Sequence, residues 1–166
     1  MTESTAEDQP QSPPEPRPIT PTIDIHQQPD PNLVELANRA HFLGFPLTLY
    51  MPWGIASGNT AAAHDYYQHL ADNVRNINVP DGTDPQWSQV IDEFAQHAFG
   101  RWADLTPSEW TENLFYDGVN LTTSLTLRNA YCWIGGFGKP VEHEYLRIRL
   151  TEVTAWAWGT ITPADS

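Results

Sequence analysis

Residues 47–71, LTLYMPWGIASGNTAAAHDYYQHLA, carry the clearest fold signal in the chain. Residues 46–51 alternate, Pro52-Trp53-Gly54 turns the chain, and residues 55–60 return it. This pattern is typical of a β-hairpin with a short, irregular corner. From Ala61 onward the apolar residues recur with a helical period, which predicts a helix directly after the second strand.

The segment GIASGN within this stretch invites comparison with a phosphate-binding loop. A Walker loop needs G-x-x-x-x-G-K-[ST], because its lysine contacts the terminal phosphates. Here Gly54 and Gly58 are four apart and no lysine precedes Lys139. The dinucleotide fingerprint G-x-G-x-x-G is absent as well. We therefore expect structural roles: a turn at Gly54, a bend or bulge at Gly58, and a helix cap at Thr60.

On the N-terminal side, one helix and a proline-rich tail are predicted. Asn32 can cap the helix and Gly44 can end it. Its apolar residues at helical spacing are Leu33, Leu36, Ala37, Ala40 and Leu43. Residues 1–31 contain more than half of the 15 prolines, mixed with Gln, Ser, Thr and acids. Such a composition buries too little apolar surface to fold, so we expect a disordered, acidic tail and a single domain over 32–166.

On the C-terminal side, a helical insert at about 61–116 precedes three strands. Asp84 and Pro85 begin its second helix, whose apolar face comprises Trp87, Val90, Ile91, Phe94, Ala98, Phe99 and Trp102. Thr106 and Glu109 form a capping box for its last helix. After the insert, alternating segments joined by short loops predict a meander of three strands.

These elements predict an α+β fold with an N-terminal helix and a helical insert after the second strand. The sheet is expected to be mainly antiparallel, of about five strands, and either curved or a half-open barrel. This element order is similar to Sm-like and other small-barrel layouts.

Composition bears on partners and compartment. The net charge is −13, and an acidic surface repels phosphate backbones and anionic lipid, so neither nucleic acid nor a membrane is an expected partner. The first residues lack the basic and apolar segments of a secretory signal. Cys132 is the one cysteine, which rules out an internal disulfide framework. We expect a cytoplasmic protein.

The residues that could carry catalysis do not form a recognisable pattern. His64 and His69 are five apart, so they do not share one helix face, and His143 points away from both neighbouring glutamates on a strand. Cys132 lies in an apolar strand, without a basic neighbour that would activate it. We predict no metal site, no cofactor and no enzymatic activity.

Tryptophan is the residue in excess, with seven in the chain. Trp156 and Trp158 are two apart and share a strand face. Tyr145, Arg147 and Arg149 share one face of the preceding strand. Since Trp, Tyr and Arg are favoured in protein interfaces, these five residues are the predicted interface, with burial of the tryptophans against the helices as the alternative.

Two blocks resemble the gas vesicle accessory protein U family. Residues 47–71 are similar to its strand, glycine turn, Ser-Gly and helix with paired aromatics, and residues 125–161 are similar to its closing segment. The matching positions of the closing segment are Leu125, Leu127, Ala130, Arg147, Arg149, Val153, Trp156 and Gly159. The tail, the helical insert and the loop WIGGFGKP depart from the family pattern. The resemblance implies a cytoplasmic, non-catalytic protein that acts by association and assembly.

The resulting functional prediction is a soluble accessory protein that binds a protein partner or itself to form an oligomer. One alternative is an acidic inhibitor or immunity-type protein that blocks a basic toxin or nucleic-acid enzyme. A second alternative is small-molecule binding in the barrel mouth, lined by Tyr131, Trp133 and Tyr145.

Overall fold

The computed structural model describes residues 28–80, 84, 86–116, 119–135 and 138–163. The described helices are α1 (Pro31–Arg39), α2 (Ala63–Arg75), α3 (Gln86–Ala95), α4 (Arg101–Ala103) and α5 (Pro107–Asn113). The described strands are β1 (Pro46–Met51), β2 (Gly54–Ala61), β3 (Phe115–Tyr116), β4 (Val119–Asn120), β5 (Ser124–Ile134), β6 (Val141–Arg149) and β7 (Ala155–Trp158). A π-helical turn, Gln96–Gly100, joins α3 to α4, and a 3₁₀ turn, Leu150–Glu152, precedes β7. The expected tail falls mostly on residues 1–27, which lie outside the described residues.

One five-stranded antiparallel sheet, in the order β6-β5-β2-β1-β7, organises the fold. The sheet is open, since β6 and β7 are its two edges. α1 precedes β1 and α2 follows β2, so the prediction of an α+β fold with an N-terminal helix and a helix after the second strand is confirmed. The predicted hairpin is β1–β2, in which Leu47 pairs with Gly58 and Met51 with Gly54. Leu47, Leu49 and Met51 are buried on the core face, as alternation along a strand requires.

A β-bulge between β2 and β5 bends the sheet at Gly58. Ser57 pairs with Tyr131 and Asn59 with Arg128, so Gly58 faces one extra residue on β5. Asn129 supplies that residue in a left-handed conformation, with φ 50°. The extra residue shifts the side-chain alternation, and core positions on β5 move from Leu125 and Leu127 to Ala130 and Cys132. Gly58 is therefore at a bulge, as expected, although the inserted residue belongs to the partner strand.

The predicted meander of three C-terminal strands is wrong at its last step. β5 and β6 form the expected hairpin, but β7 pairs with β1 at the opposite edge of the sheet. Five strands span roughly 19 Å when flat, and a link of five residues that includes a 3₁₀ turn is shorter. The sheet must therefore curl, which brings its two edges toward each other.

The main core lies between α1 and one face of this sheet. Its fully or nearly fully buried residues come from α1, from strands β1, β2, β5 and β6, and from the 3₁₀ turn before β7. They include Leu33, Leu47, Leu49, Leu125, Leu127, Ile148 and Leu150. Trp156 of β7 and Val153 pack against this cluster from the edge. Burial of these apolar side chains is the main stabilising contribution of the sheet.

The helix starts differ from two of the predicted caps. Asp30, rather than Asn32, caps α1 by accepting hydrogen bonds from the amides of Asn32 and Leu33 at 2.7 and 3.3 Å. Thr60 does not cap α2, whose N-cap is Ala62; Thr60 lies in β2 and accepts from the Phe45 amide at 2.8 Å. The Asp84 cap of α3 and the Thr106–Glu109 capping box of α5 are confirmed.

The helical insert holds a second, aromatic cluster. Trp110 is buried, stacks on Tyr67 at 5.8 Å between ring centroids, and lies 5.9 Å from Trp102. Its Nε1 donates a hydrogen bond to the Trp102 carbonyl at 3.1 Å. His41 stacks on the same indole at 5.5 Å, so this cluster links the insert to the residues after α1.

Gly54→Ala tests the close approach of β2 and β5. A Cβ at position 54 would lie 2.0 Å from the Trp133 carbonyl oxygen, which only backbone movement can relieve. We expect a loss of about 2 kcal/mol or more in the free energy of unfolding, measured by urea denaturation. Gly138→Ala is the control, because a Cβ there meets no atom within 4 Å. Equal stabilities for the two variants would contradict the proposed constraint.

Candidate functional site

The five predicted interface residues do not form one surface. Tyr145, Arg147 and Arg149 lie on β6 and Trp156 and Trp158 on β7, which are opposite edges of the sheet. The prediction assumed that consecutive strands are neighbours, and the crossing of the chain to β1 separates them.

Tyr145 and Arg147 are turned toward α2. The Arg147 guanidinium lies over the rings of Tyr66 and Tyr67, at 5.8 and 5.4 Å from their centroids, and donates to Thr126 Oγ1 at 3.2 Å. The Tyr145 ring is 5.0 Å from the ring of His69, and burial raises its phenol pKa. Both side chains thus attach the insert to the sheet, and Arg149 alone of the three is exposed.

The two tryptophans of β7 have different environments. Trp156 is half-buried against the main core, and its Nε1 donates to Asp30 Oδ2 at 3.3 Å. Trp158 is 62% exposed, with its ring 5.6 Å from that of Phe45. Trp156 therefore packs in the fold, as the alternative prediction of buried tryptophans has it, whereas the Trp158 side chain lies at the surface.

An exposed apolar surface lies instead on α3, along part of the apolar face that the sequence predicts. Trp87, Val90 and Phe94 are 54%, 50% and 57% exposed. We call these three residues the α3 stripe. On the same helix Ala95 is buried and Ile91 half-buried, and α3 packs against α2. The apolar arc of α3 is wider than its contact with α2, so one side of the arc remains in solvent.

The structure has a polar cavity close to the predicted small-molecule site in the barrel mouth. The rings of Tyr131 and Trp133 are 6.2 Å apart, but Tyr145 faces α2. A cavity of about 280 Å³ is lined by Asn129, Ala130, Tyr131, Glu142, His143 and Glu144. It lacks the apolar walls typical of sites for drug-sized ligands.

His41 is the titratable group with the most altered environment. It is 9% exposed, it lines a cavity of about 50 Å³ together with Trp110, Thr126 and Arg147, and its Nδ1 has no hydrogen-bond partner. Burial lowers its pKa from 6.5 to about 4, and the charges of His64 and Arg147 contribute, against the opposing charge of Asp65. His41 is therefore neutral at physiological pH.

Other chemical groups are less suited to catalysis. Burial raises the pKa of the Cys132 thiol, which keeps it protonated and unreactive. Among the described residues, no three His, Cys, Asp or Glu side chains lie together so that they could hold a metal ion. No helix in the described ranges has the length and apolar content needed to cross a membrane.

No family model, curated protein or solved structure matches this chain. The similarity to the gas vesicle accessory protein U family therefore stays a prediction.

Replacing the two tryptophans of β7 separately distinguishes core from surface. Trp156→Ala should lower the free energy of unfolding by about 2 kcal/mol, because it removes half-buried apolar area and the bond to Asp30. Trp158→Ala should cost less than about 1 kcal/mol, because that side chain is mostly in solvent. Chemical denaturation measures both values. A larger loss for Trp158→Ala would contradict this assignment.

The buried imidazole of His41 predicts a loss of stability in acid. Because its folded pKa of about 4 lies below 6.5, the unfolded chain binds a proton between these pH values that the folded chain excludes. This group should reduce the free energy of unfolding by about 3 kcal/mol between pH 7 and pH 4. In His41→Gln the free energy of unfolding should therefore fall by about 3 kcal/mol less between pH 7 and pH 4 than in the parent protein. Chemical denaturation at each pH measures this difference. Parallel pH profiles for the two proteins would refute this role of His41.

Proposed function

We propose that this protein is non-enzymatic and acts by binding another protein through the α3 stripe. The observation that carries the proposal is the exposure of Trp87, Val90 and Phe94 on a helix that is otherwise packed on α2. Their spacing of three and four residues aligns them along one side of the helix. Aromatic residues of this kind supply much of the energy of protein interfaces.

Burial of the α3 stripe would supply part of the free energy of binding. Burial of a large apolar side chain contributes about 1.5–3 kcal/mol, and each residue of the stripe is about half exposed. Covering all three would contribute roughly 3 kcal/mol before contacts around them are added. A partner helix with apolar residues at i, i+3 and i+7 matches such a stripe.

The charge of the chain determines the chemistry of the partner. Residues 86–95, QWSQVIDEFA, include Asp92 and Glu93 and no basic residue, and the whole chain has a net charge of −13. A second copy would bring like charges together, whereas a basic partner gains from attraction. The proposed partner is therefore an amphipathic helix with apolar residues on one side and Lys or Arg along its flanks.

The resemblance to the gas vesicle accessory protein U family supports a more specific version. In that version, the partner is a component of gas vesicle assembly and the protein is a cytoplasmic accessory factor. The support is the similarity of residues 47–71 and 125–161, neither of which includes α3. The α3 stripe would then be a feature of this chain rather than of the shared pattern.

The alternative function, an acidic inhibitor, also requires a basic partner. It differs in the interaction that stabilises the complex. Charge attraction alone weakens steeply as ionic strength rises, because salt screens exposed charges. Apolar contact with the α3 stripe persists in salt. Salt dependence together with substitution of the stripe therefore separates the two functions.

The test uses the full chain and two fluorescent peptides, an amphipathic Leu/Lys helix and its Leu/Glu counterpart, with fluorescence anisotropy as the readout. We expect the basic peptide to bind in low and high salt. Trp87→Ser/Phe94→Ser should weaken that binding roughly tenfold or more, since two anchors are lost. The control is Ile134→Ser, because Ile134 is 67% exposed but lies on β5.

Three outcomes would overturn the proposal. Equal binding of both peptides would remove the basic preference. Binding that salt abolishes and the double variant leaves unchanged would favour the acidic inhibitor. A dimer in sedimentation velocity that the double variant abolishes would assign the α3 stripe to a second copy of the chain.

A further inference from the structure

We infer that the outer edge of β6 pairs with β6 of a second copy of this chain, so that two sheets join through antiparallel strands. β6 is a terminal strand of the sheet and is bonded to β5 on one side only. It has nine residues, whereas β7 at the opposite edge has four. The edge of β6 is separate from the α3 stripe, so the inference goes beyond the proposed function and does not rest on it.

The backbone of β6 has donors that the described part of the chain does not use. The Leu150 amide donates to the Thr123 carbonyl at 2.9 Å, and the register between β6 and β5 continues from this pair without a shift. Residues along an antiparallel strand turn their backbone groups alternately to one side and the other, so the even-numbered residues of β6 bond to β5. The N–H groups of Tyr145, Arg147 and Arg149 therefore point away from the sheet, and no described residue accepts from them.

In the described part of the chain, β6 has a neighbouring strand on its inner side only. The elements that contact it extensively are β5, beside it, and α2, which packs on its face through Tyr145 and Arg147. A long strand edge with unpaired amides is a ready site for another strand. Prolines and bulges commonly prevent such pairing, but β6 contains no proline and keeps a regular register with β5.

The order of charges along β6 favours a second copy as the occupant of this edge. In VEHEYLRIR, Glu142 and Glu144 lie in the first half and Arg147 and Arg149 in the second half. An antiparallel pair of identical strands places the acidic half of each copy beside the basic half of the other. A strand with charges of one sign would be repelled by one of the two halves, and a parallel copy would bring like charges together.

A two-fold axis at Tyr145 gives the full overlap of the two strands. Each glutamate of one strand then lies within one residue of an arginine of the second copy. Glu144 and Arg147 both reach the side of the sheet that α2 covers, since Glu144 Oε2 is 3.5 Å from His69 Nδ1 and the Arg147 guanidinium lies over the Tyr67 ring. Their opposite charges would therefore be on the same side of the joined sheet.

The net charge of −13 opposes association of two copies and makes the expected dimer weak. Salt screens exposed charges that are more than about 8 Å apart at physiological ionic strength, so the repulsion between distant acids is reduced. The complementary charges of the two β6 strands are closer together and are screened less. One pair of strands is also a small interface, so we expect a dissociation constant on the order of 100 µM.

The experiment uses the full chain and measures both the dimer and its position. Sedimentation velocity at increasing protein concentration measures the fraction of dimer, and NMR of the same samples measures the exchange of each amide hydrogen. We expect the amides of Tyr145, Arg147 and Arg149 to exchange more slowly as the dimer forms, because they gain acceptors. The amides of Leu146 and Ile148 already bond to β5 and should change little.

Arg149 allows the backbone donor and the side-chain charge to be tested separately. Its φ is −71°, which proline adopts without strain. Arg149→Pro removes an outward N–H and leaves the bonds between β6 and β5 in place, whereas Arg149→Gln removes the charge and keeps the N–H. Because the two-fold axis repeats each change, Arg149→Pro should weaken the dimer roughly tenfold relative to Arg149→Gln, the effect of two hydrogen bonds.

An exchange of charges tests the antiparallel arrangement. Glu142→Arg or Arg149→Glu alone leaves β6 with an excess of one sign, and each should weaken the dimer several-fold. The double variant Glu142→Arg/Arg149→Glu restores two charges of each sign and should recover the dissociation constant of the parent. Trp87→Ser/Phe94→Ser is the control for position, because α3 is not part of the contact, and it should form the dimer like the parent.

Four results would overturn the inference. The first is a monomer at every concentration. The second is a dimer that leaves the amides of Tyr145, Arg147 and Arg149 unprotected. The third is a double charge exchange that fails to restore the dimer. The fourth is a dimer that Trp87→Ser/Phe94→Ser abolishes, which would place the contact on α3.

Discussion

The close approach of β2 and β5 is the constraint on which the rest of the structure depends. At Gly54 and Gly58 the backbone of β5 occupies the space that a side chain would need, with distances of 2.0 and 2.9 Å from an added Cβ to carbonyl oxygens. The bulge at Asn129 forms at the same junction and changes which β5 residues face the core. The resulting curl lets a short link carry the chain from β6 to the far edge, where β7 completes the sheet.

The curl also determines how the aromatic residues are used. The face of β5 and β6 that is turned away from the main core is covered by α2, so Tyr145 and Arg147 become anchors for the insert. Trp110 and Tyr67 then form a second cluster above the sheet. α3 packs on α2 and, in the described residues, has only weak contact with the sheet, which explains why part of its apolar arc is left exposed.

Local signals were sufficient for most of the fold. The hairpins β1–β2 and β5–β6, the Asp84 cap and the Thr106 capping box depend on neighbouring residues, so alternation and turn chemistry predicted them. The partner of β7 was mispredicted, because alternation indicates which face a residue occupies but not which strand lies beside it. The exposure of the α3 stripe was not predicted for a related reason, since an apolar helix face does not reveal how much of it a neighbour covers. His41 and His64 lie close together because the β1–β2 hairpin between them folds back on itself. Their separation in the sequence did not predict this proximity.

The contacts that complete the sheet join distant parts of the chain. Asp30 accepts from Trp156, and Ser57 accepts from the amide of Ile161, at sequence separations of 126 and 104 residues. Between β2 and β5 the whole helical insert must be synthesised. During translation, β1 and β2 therefore emerge long before the strands that flank them, and the insert can form its local contacts first. Chains with such non-local pairing fold slowly, because loop closure is unfavourable until the final strands arrive. Until β5 and β7 are made, both edges of the β1–β2 hairpin lack a partner strand. Unpaired strand edges of this kind favour aggregation.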